Sequence, residues 1–387
     1  MTERSVTALV TYRGERLGEI GPFPVRTPRW HDVGPVAEEL TVRLGVPVHV
    51  LRLLTHDSAD TGYGGSVAYH AEALRFPEVE LTDSGLSVGE DPLRAPWATP
   101  EGLRSALAWA AGAVRAVGPA EQVKSWNLSG LYRLPTTDGP VWLKTTPAFA
   151  LSEAEVIARF AAVDPELVPP VVAATEGRVL LGHLPGVDCW GLPEDAMLDA
   201  VPRLVAAQAA LAGQRAGLPD RTPGTLPERF AVLLSRVVLT ADEQAAAERL
   251  LADLPLLAEE LASCGLPETL VHGDFHPGNW RFDGTRNVII DFSDSYYGHP
   301  AVDGLRPQDF LSGDRWATVR RLWIDAWTTH APGSDPARAL ELAEPLAHLG
   351  HAVRYQEFLD GIEATERVYH DGDPESEIRA ALACRPV

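Results

Sequence analysis

Lysine is scarce in this 387-residue sequence, which has only two, Lys124 and Lys144. Cysteine is scarce too: the three cysteines are widely spaced and odd in number, so they form neither the paired pattern of a disulfide framework nor that of a zinc site. No apolar run approaches the ~18 residues of a membrane-spanning helix, and residues 1–14 lack the apolar core of a signal peptide. These absences favour a protein of the reducing cytoplasm.

The charge balance is strongly acidic, because 54 acidic residues face 33 basic ones and leave a net charge of −21. A protein that tracks the phosphates of a nucleic acid, or lies on an anionic membrane, needs the opposite sign. We therefore expect no nucleic-acid partner and no membrane partner, whereas a cationic small substrate is compatible with this charge. The acidic excess is concentrated after residue 118, as it can be when a chain contains separate modules.

The first hundred residues have the pattern of a small α/β unit. Two β-rich runs precede a stretch of helical spacing, Pro35–Leu44, and two further strand-like runs follow it. The predicted strands are Val6–Thr11, Arg16–Ile20, Val46–Leu54 and Gly65–Leu74. Because residues 89–100 are rich in proline and turn formers, we predict a first domain at residues 1–96 and a connector helix within 97–120.

From residue 121 the pattern separates strands from helices. Strand-like runs such as Val141–Thr145 come first, and helical patterns follow, the longest at Ala337–Glu366. One β-like island, Thr269–Asp294, interrupts the helices. We therefore predict an α+β fold with a strand-rich small lobe at 121–186 and a helical large lobe at 187–387, the order expected of a two-lobed protein kinase-like fold.

The strongest chemical signal lies in the β-like island, where the sequence LVHGDFHPGN places Asp274 five positions before Asn279. The proline and glycine between them keep this segment from being helical. Twelve residues beyond Asn279, Asp291 follows an apolar run. Phosphoryl transfer needs such a set, because one carboxylate accepts the proton of the acceptor hydroxyl while an amide oxygen and a second carboxylate hold Mg²⁺ against the phosphates. We therefore predict Asp274 as the catalytic residue and Asn279 and Asp291 as metal ligands.

Two plainer interpretations compete with this one. His272 and His276 are four positions apart and would suit a metal on a helix, but the proline and glycine remove the helix. A lone aspartate in a turn is ordinarily a solvated residue, yet an ordered set of polar groups beside two apolar strands makes that interpretation the weaker one. We expect His272 to brace the loop rather than to react.

Residues 121–387 resemble the aminoglycoside phosphotransferase/choline kinase-like superfamily. The resemblance rests on HGDFHPGN at 272–279, IDF at 290–292 and GHPAVD at 298–303, the last of which is similar to the G-x-P-x-x-D of that family. It implies a small-molecule kinase that uses Mg²⁺ and a nucleoside triphosphate, ATP or GTP, to phosphorylate a hydroxylated acceptor. Ser293 departs from the glycine of the D-F-G motif, and this departure removes no metal ligand.

The small lobe offers the matching nucleotide-binding residues. Lys144 ends a strand-like run where a kinase lysine contacts the phosphates, although a solvent-facing strand lysine is the plainer alternative. Its ion-pair partner should come from the next helix, where Glu153 shares the apolar face and Glu155 does not. In the loop that should cover the nucleotide, Ser129 and Gly130 are the candidate phosphate contacts, through backbone amides.

An acidic series near the C-terminal end offers a place for a cationic acceptor. Glu357, Asp360, Glu363 and Glu366 recur at three- to four-residue spacing, and further acidic residues follow. A solvated helix face explains the same series equally well.

The first domain weakly resembles a Nudix fold, in which clustered glutamates bind the metal of a hydrolase. Here Val42 and Arg43 stand near the place of the expected glutamate pair. Glu38 and Glu39 are adjacent, so on a helix they diverge by about 100° and cannot easily serve one cation. We therefore predict an accessory Nudix-like domain rather than an active hydrolase.

The predicted function is transfer of the γ-phosphate of a nucleoside triphosphate to a hydroxyl of a small molecule, either an aminoglycoside-like antibiotic or a metabolite. Two other classes of function stay open at this point: a non-catalytic kinase-like binding protein, and a nucleotide hydrolase that acts through the first domain. The complete set of polar residues argues against the former, and the broken glutamate motif argues against the latter.

Overall fold

The structure of the protein is a computed structural model, and it describes residues 3–58, 62–83, 85–215 and 217–384. The chain divides into two compact units. The first unit comprises Met1–Phe149, Val171–His183 and Phe358–Asp371, and the second comprises Ala150–Pro170, Leu184–Glu357 and Gly372–Val387. The domain boundaries at residues 96, 120 and 186 stay a prediction from the sequence.

Four strands form the first sheet of the first unit: β1 (Arg4–Tyr12), β2 (Glu15–Val25), β3 (Val48–His56) and β4 (Ser66–Ala73). Their order is β2-β1-β4-β3, with β1 and β4 parallel and the other neighbours antiparallel. Helix α1 (Gly34–Leu44) buries its apolar face in the core of this sheet. It ends at Gly45, whose φ of 68° is a left-handed conformation that glycine adopts without strain.

Helix α2 (Pro100–Ala113) begins after Thr99, whose hydroxyl accepts a hydrogen bond from the Gly102 amide. Its buried residues share a core with a second sheet of the first unit. The five strands of that sheet are β5 (Glu121–Trp126), β6 (Ser129–Leu134), β7 (Val141–Thr145), β8 (Val171–Thr175) and β9 (Arg178–Gly182). They are antiparallel throughout, in the order β5-β6-β7-β9-β8, so the strand-rich small lobe predicted from the sequence is present.

The second unit is mainly helical. Its helices are α3 (Glu153–Val163), α4 (Ala200–Ala210), α5 (Leu226–Leu234), α6 (Ala241–Ser263), α7 (Ala301–Leu305), α8 (Gly313–His330), α9 (Pro336–Gly361, which continues into the first unit) and α10 (Asp373–Ala383). The longest helix that lies wholly within the second unit is α6, which begins with a capping box between Thr240 and Glu243. None of the helices in the described ranges is long and apolar enough to cross a membrane.

Short strands interrupt these helices around the predicted β-like island. They are β10 (Val187–Asp188), β11 (Thr269–Val271), β12 (Trp280–Phe282), β13 (Asn287–Ile289) and β14 (Tyr296–Gly298). Strands β10, β12 and β13 form one small sheet, and β11 pairs with β14. The island thereby places the HGDFHPGN segment between β11 and β12, and it places Asp291 just after β13.

Helix α9 is shorter than the sequence pattern predicts. The pattern predicts a helix over Ala337–Glu366, and the last five of these residues are not part of the helix. The helix stops at Gly361, where a Cβ would overlap the ring of Phe149. Glu363 is extended, and a short 3₁₀ segment, Ala364–Tyr369, follows it. The 3₁₀ segment also packs residues into a core, which explains why the sequence pattern of the helix continues beyond its end.

Candidate active site

A buried aspartate fixes the backbone of the loop after β11. The carboxylate of Asp303, in α7, is fully buried and accepts hydrogen bonds from the amides of His272 (2.7 Å) and Gly273 (2.9 Å). The Gln208 side chain of α4 donates a third hydrogen bond to it at 2.7 Å. Gly273 has a φ of 88°, and a Cβ there would overlap the carbonyl oxygen of Asp294, so this position requires glycine. Contacts within the protein therefore hold the loop in one shape.

Asp274 lies at the centre of a polar cluster in this loop. Asn279 Nδ2 donates to the carbonyl oxygen of Asp274 at 2.9 Å and to its Oδ2 at 3.2 Å. Arg306 Nε donates to Oδ1 at 2.9 Å, and His276 Nε2 lies 3.2 Å from Oδ2. The structure thus brings Asp274 and Asn279 together, and it adds Arg306, a residue that the sequence analysis missed.

The groups around Asp274 set its protonation state. Burial by itself would raise the pKa of this carboxyl, but the Arg306 guanidinium and the His276 imidazole outweigh burial and hold the pKa well below its usual range. Asp274 is therefore a carboxylate at physiological pH. Such a group orients a hydroxyl by accepting its hydrogen bond, and it takes the proton only as the acceptor oxygen becomes acidic during the reaction.

Asp291 has an unusual backbone conformation. Its φ of 67° is left-handed, which is unfavourable for a residue with a side chain and is concentrated at functional sites. Ser293 Oγ donates a hydrogen bond to Asp291 Oδ1 at 2.9 Å. The amide of Ile290 donates to the carbonyl oxygen of Asn279 at 2.9 Å, so the two predicted metal ligands lie on hydrogen-bonded neighbouring segments.

The donor atoms of these two residues fit a hard cation. Asn279 directs its Nδ2 to Asp274, so its Oδ1 is the side-chain atom that can face a cation. The carboxylate of Asp291 supplies oxygen as well. Mg²⁺ prefers oxygen ligands of this kind, so the residues suit the metal that the motif implies.

His272 is a buried brace between the loop and the strand that precedes Asp291. Its Nδ1 accepts a hydrogen bond from the Asp274 amide at 3.2 Å, and its Nε2 donates to the carbonyl oxygen of Ile290 at 3.0 Å. Its ring packs on Phe292, with 4.7 Å between ring centroids. Both ring nitrogens of His272 are therefore hydrogen-bonded to backbone groups, so the role of this residue is structural.

Glu153, the first residue of α3, is buried, whereas Glu155 is exposed. Glu153 Oε1 accepts a hydrogen bond from the amide of Phe292 at 3.0 Å. The carboxylate therefore holds the backbone directly after Asp291, a contact that the sequence analysis did not foresee. The ion pair of Glu153 with Lys144 stays a prediction.

The predicted nucleotide-binding residues of the first unit lie on adjacent strands. Lys144, in β7, pairs with Leu131 of β6 and is only 8% exposed. Gly130, one residue earlier in β6, donates its amide to Thr145 Oγ1 at 3.0 Å, so this amide already has an acceptor within the protein. A Cβ at Gly130 would press on Thr145 Oγ1, which makes glycine a packing requirement here. Ser129 Oγ accepts a hydrogen bond from Trp126 Nε1 at 3.1 Å.

The acidic series near the C-terminal end is not one exposed face. Glu357, in the second unit, lies within ion-pair distance of three arginines: Arg221 (2.7 Å), Arg229 (2.8 Å) and Arg354 (3.0 Å). In the first unit, Glu363 and Glu366 are buried. These carboxylates have partners or lie in the core, so the series does not present a row of solvated negative charges.

A kinase-like phosphotransferase is the class of protein that this fold and this set of residues define. The family model described as "Phosphotransferase enzyme family" matches residues 129–342. The chain therefore belongs to this family, within the aminoglycoside phosphotransferase/choline kinase-like superfamily, and it is a small-molecule kinase. Membership implies a nucleotide as phosphate donor and a small molecule as acceptor.

Solved structures agree on the fold. A choline/ethanolamine kinase family protein from Mesorhizobium loti is 20% identical, with a TM-score of 0.50, and the alignment covers 73% of this chain and 97% of that chain. A macrolide 2′-phosphotransferase type I is 21% identical, with a TM-score of 0.51, and the alignment covers 72% of this chain and 97% of that one. No curated protein matches this chain. The Nudix-like resemblance of the first domain is not shown by any of these comparisons.

Proposed function

We propose that the protein transfers the γ-phosphate of ATP or GTP to a hydroxyl group of a small molecule, with Asp274 as the catalytic residue. The hydrogen bonds from Asn279 to Asp274 are the observation that supports this most directly. They set a proton-accepting carboxylate beside an amide oxygen that can hold a cation, which is the arrangement phosphoryl transfer needs.

Asp274 orients the acceptor in this mechanism. It accepts a hydrogen bond from the hydroxyl and aims the oxygen at the phosphorus, while Arg306 and His276 keep the carboxylate from rotating. Because the pKa of Asp274 is low, the carboxylate is a weak base and removes the proton late. Late removal suits the loose transition state of phosphoryl transfer, in which positioning and charge stabilisation supply most of the catalysis.

The metal and the nucleotide are bound by different predicted residues in this proposal. Asn279 and Asp291 hold Mg²⁺, which when bound neutralises charge on the phosphates. Lys144 contacts the phosphates, and Glu153 positions both Lys144 and the segment after Asp291. Ser129 and Gly130 belong to the hairpin that covers the nucleotide, with Gly130 acting through its lack of a side chain.

Residues 1–96 are an accessory domain in this proposal. Glu39 is engaged in an ion pair with Arg43 at 2.7 Å, and Glu38 is exposed. The two carboxylates therefore do not converge on one cation, which argues against nucleotide hydrolysis by this domain.

The test is phosphorylation of a panel of hydroxylated antibiotics, amino alcohols and sugars with γ-labelled ATP and GTP. We expect label to appear in at least one acceptor, and we expect Asp274→Asn to abolish that transfer while Asp253→Asn, an exposed helix position, does not. Label released as inorganic phosphate at the same rate with and without every acceptor, and equally by the Asp274→Asn variant, would contradict the proposal.

A further inference from the structure

A group of metal-ligating side chains lies in the second unit, apart from the proposed catalytic residues. Glu344 and His348 are one turn apart on α9, and Cys384 directly follows α10. A carboxylate oxygen, a ring nitrogen and Sγ of these residues all lie within 4.8 Å of one another. All three residues are partly exposed, so a small ion can reach them. Atoms that bind one tetrahedral cation lie about 3–4 Å apart, so small changes in side-chain torsion angles bring these three to that spacing.

The ring of His348 is held by a carboxylate from α10. Its Nδ1 lies 2.6 Å from Glu377 Oε2, and the two side chains are only 21% and 18% exposed. When Nδ1 donates to this carboxylate, Nε2 keeps the lone pair with which an imidazole binds a metal. A histidine whose second ring nitrogen donates to a carboxylate is the usual arrangement around metal ions in proteins. Glu377 therefore holds His348 as a metal ligand is held.

Glu344 is held as well, and space for an ion lies beside it. Gln308 Nε2 donates to Glu344 Oε1 at 3.0 Å, so Oε2 is the oxygen that can bind a cation. A cavity of about 20 Å³, room for about one water molecule, adjoins Glu344 and His348. His351 lines this cavity too, but both of its ring nitrogens are buried, and burial lowers its pKa to about 3. His351 is therefore neutral and offers the cavity no ligand atom.

The charge around this group is negative. Glu377, Asp309 and Glu344 act on the ring of His348 and raise its pKa. Arg306 also lines the cavity, but its guanidinium already pairs with Asp309 at 2.7 Å and with the catalytic aspartate at 2.9 Å. The carboxylates thus outnumber the cations, and such an excess of one sign favours a bound ion of the opposite sign.

We propose that Glu344, His348 and Cys384 bind a Zn²⁺ ion, with water as the fourth ligand. One oxygen, one nitrogen and one sulfur suit this metal, because thiolate and imidazole select zinc over the harder Mg²⁺. On binding, the Cys384 thiol gives its proton to solvent and the thiolate forms the bond to the metal. The ion joins the end of α10 to α9. The spacing of the cysteines in the sequence does not indicate this site, because only one of its ligands is a cysteine.

The first experiment measures metal binding to the untagged, reduced full chain, in excess Mg²⁺ and without nucleotide. We expect calorimetry to detect a Zn²⁺ ion bound with a Kd below about 10 µM. We also expect Co²⁺, bound in place of Zn²⁺, to give the ultraviolet absorption band of a thiolate–metal bond. A Kd above that value overturns the proposal, and so does bound Co²⁺ that lacks the thiolate band.

Variants locate the ion. Cys384→Ser and His348→Gln each remove one ligand, and we expect at least about tenfold weaker Zn²⁺ binding in each, with the thiolate band of Co²⁺ lost only from Cys384→Ser. Glu377→Gln should weaken binding by about tenfold or more and keep the band, because it loosens the histidine and leaves the thiolate in place.

Cys264→Ser is the matched control for the cysteine variant. Like Cys384, Cys264 directly follows a helix and donates its thiol to the carbonyl oxygen four residues earlier, but it lies outside the group. We expect the Zn²⁺ affinity of Cys264→Ser to equal that of the parent. Unchanged affinity in Cys384→Ser or His348→Gln that is folded by circular dichroism contradicts the assignment. Because no turnover is measured, the result is independent of the proposed kinase reaction.

Discussion

Arg306 and Asp274 form an ion pair in which Nε of the arginine lies 2.9 Å from Oδ1 of the aspartate, across 32 residues of sequence. A second nitrogen of the same guanidinium pairs with Asp309 at 2.7 Å. Arg306 therefore has two effects on the Asp274 carboxylate: it fixes the orientation of the group and it lowers its proton affinity. An enzyme that uses Asp274 to aim a hydroxyl depends on both effects.

Arg306→Gln should lower turnover by about 10²-fold, because the carboxylate loses the group that orients it. The same change should raise the pKa of Asp274, since the largest lowering influence is gone. The acid limb of the kcat/KM profile should consequently move to higher pH, and Arg306→Lys should restore part of both effects. A profile that keeps its acid limb in the glutamine variant would show that Arg306 does not act on the ionisation of Asp274.

Asp274→Asn should leave folding and nucleotide affinity nearly unchanged and cut turnover by about 10²–10⁴, the range of general acid–base contributions. The amide keeps the size of the side chain but cannot accept the proton of the hydroxyl. Turnover with a saturating acceptor and nucleotide affinity by calorimetry are the two measurements. Turnover at the parent level would remove Asp274 from the mechanism.

Asp291→Ala should abolish Mg²⁺-dependent nucleotide binding, because the variant loses a charged oxygen ligand and the segment that Ser293 and Glu153 hold around it. Calorimetry with and without Mg²⁺ measures the effect. Asp253→Ala, at an exposed helix position, is the control and should bind like the parent. Tight Mg²⁺-nucleotide binding by folded Asp291→Ala would show that Asp291 is not a ligand.

The double substitution Glu38→Gln with Glu39→Gln should leave kinase turnover within about threefold, a change of under ~1 kcal/mol in the barrier. The two carboxylates diverge on α1, and one of them is already paired with Arg43. The measurement is turnover of the full chain beside its circular dichroism spectrum. Loss of turnover in a folded double variant would make the first domain part of the catalytic machinery.

Glu366 should make the protein less stable as the pH rises. Its pKa is raised from an ordinary 4.5 to about 8 by burial and by Glu363, so between these values the folded state binds more protons than the unfolded state. The free energy of unfolding therefore falls with rising pH across this window and is insensitive to Glu366 above it. Glu366→Gln should flatten this slope in urea unfolding, and Glu121→Gln, an exposed position paired with Arg133, should not. An unchanged slope in the Glu366 variant would mean that this carboxyl is ionised in the folded protein.

The sequence predicts the parts of the site that are local. Asp274 and Asn279 lie within one tight loop, and a strand places Asp291 next to it, so spacing along the chain is enough to relate them. Periodicity also predicts that Glu153 lies on the buried face of its helix.

Spacing and periodicity along the sequence do not predict contacts between distant parts of the chain. Arg306 follows no motif, and its role depends on how α7 lies against the loop. Glu366 accepts a hydrogen bond from the amide of Leu53, 313 residues earlier in the sequence. Its helical spacing in the sequence is that of a solvated carboxylate, and only the folded chain shows that it is buried. The close approach of the Phe149 ring to Gly361, which leaves no room for a Cβ there, likewise joins residues far apart in the sequence.

The bond between the Leu53 amide and Glu366 also bears on how the protein is made. The first unit includes Phe358–Asp371, so its earliest strands leave the ribosome long before the segment that completes their core is synthesised. Domains ordinarily fold in turn as they emerge. We therefore expect the first unit to complete its core only after Phe358–Asp371 has been synthesised, so the surface that Glu366 and Tyr369 cover stays exposed until then.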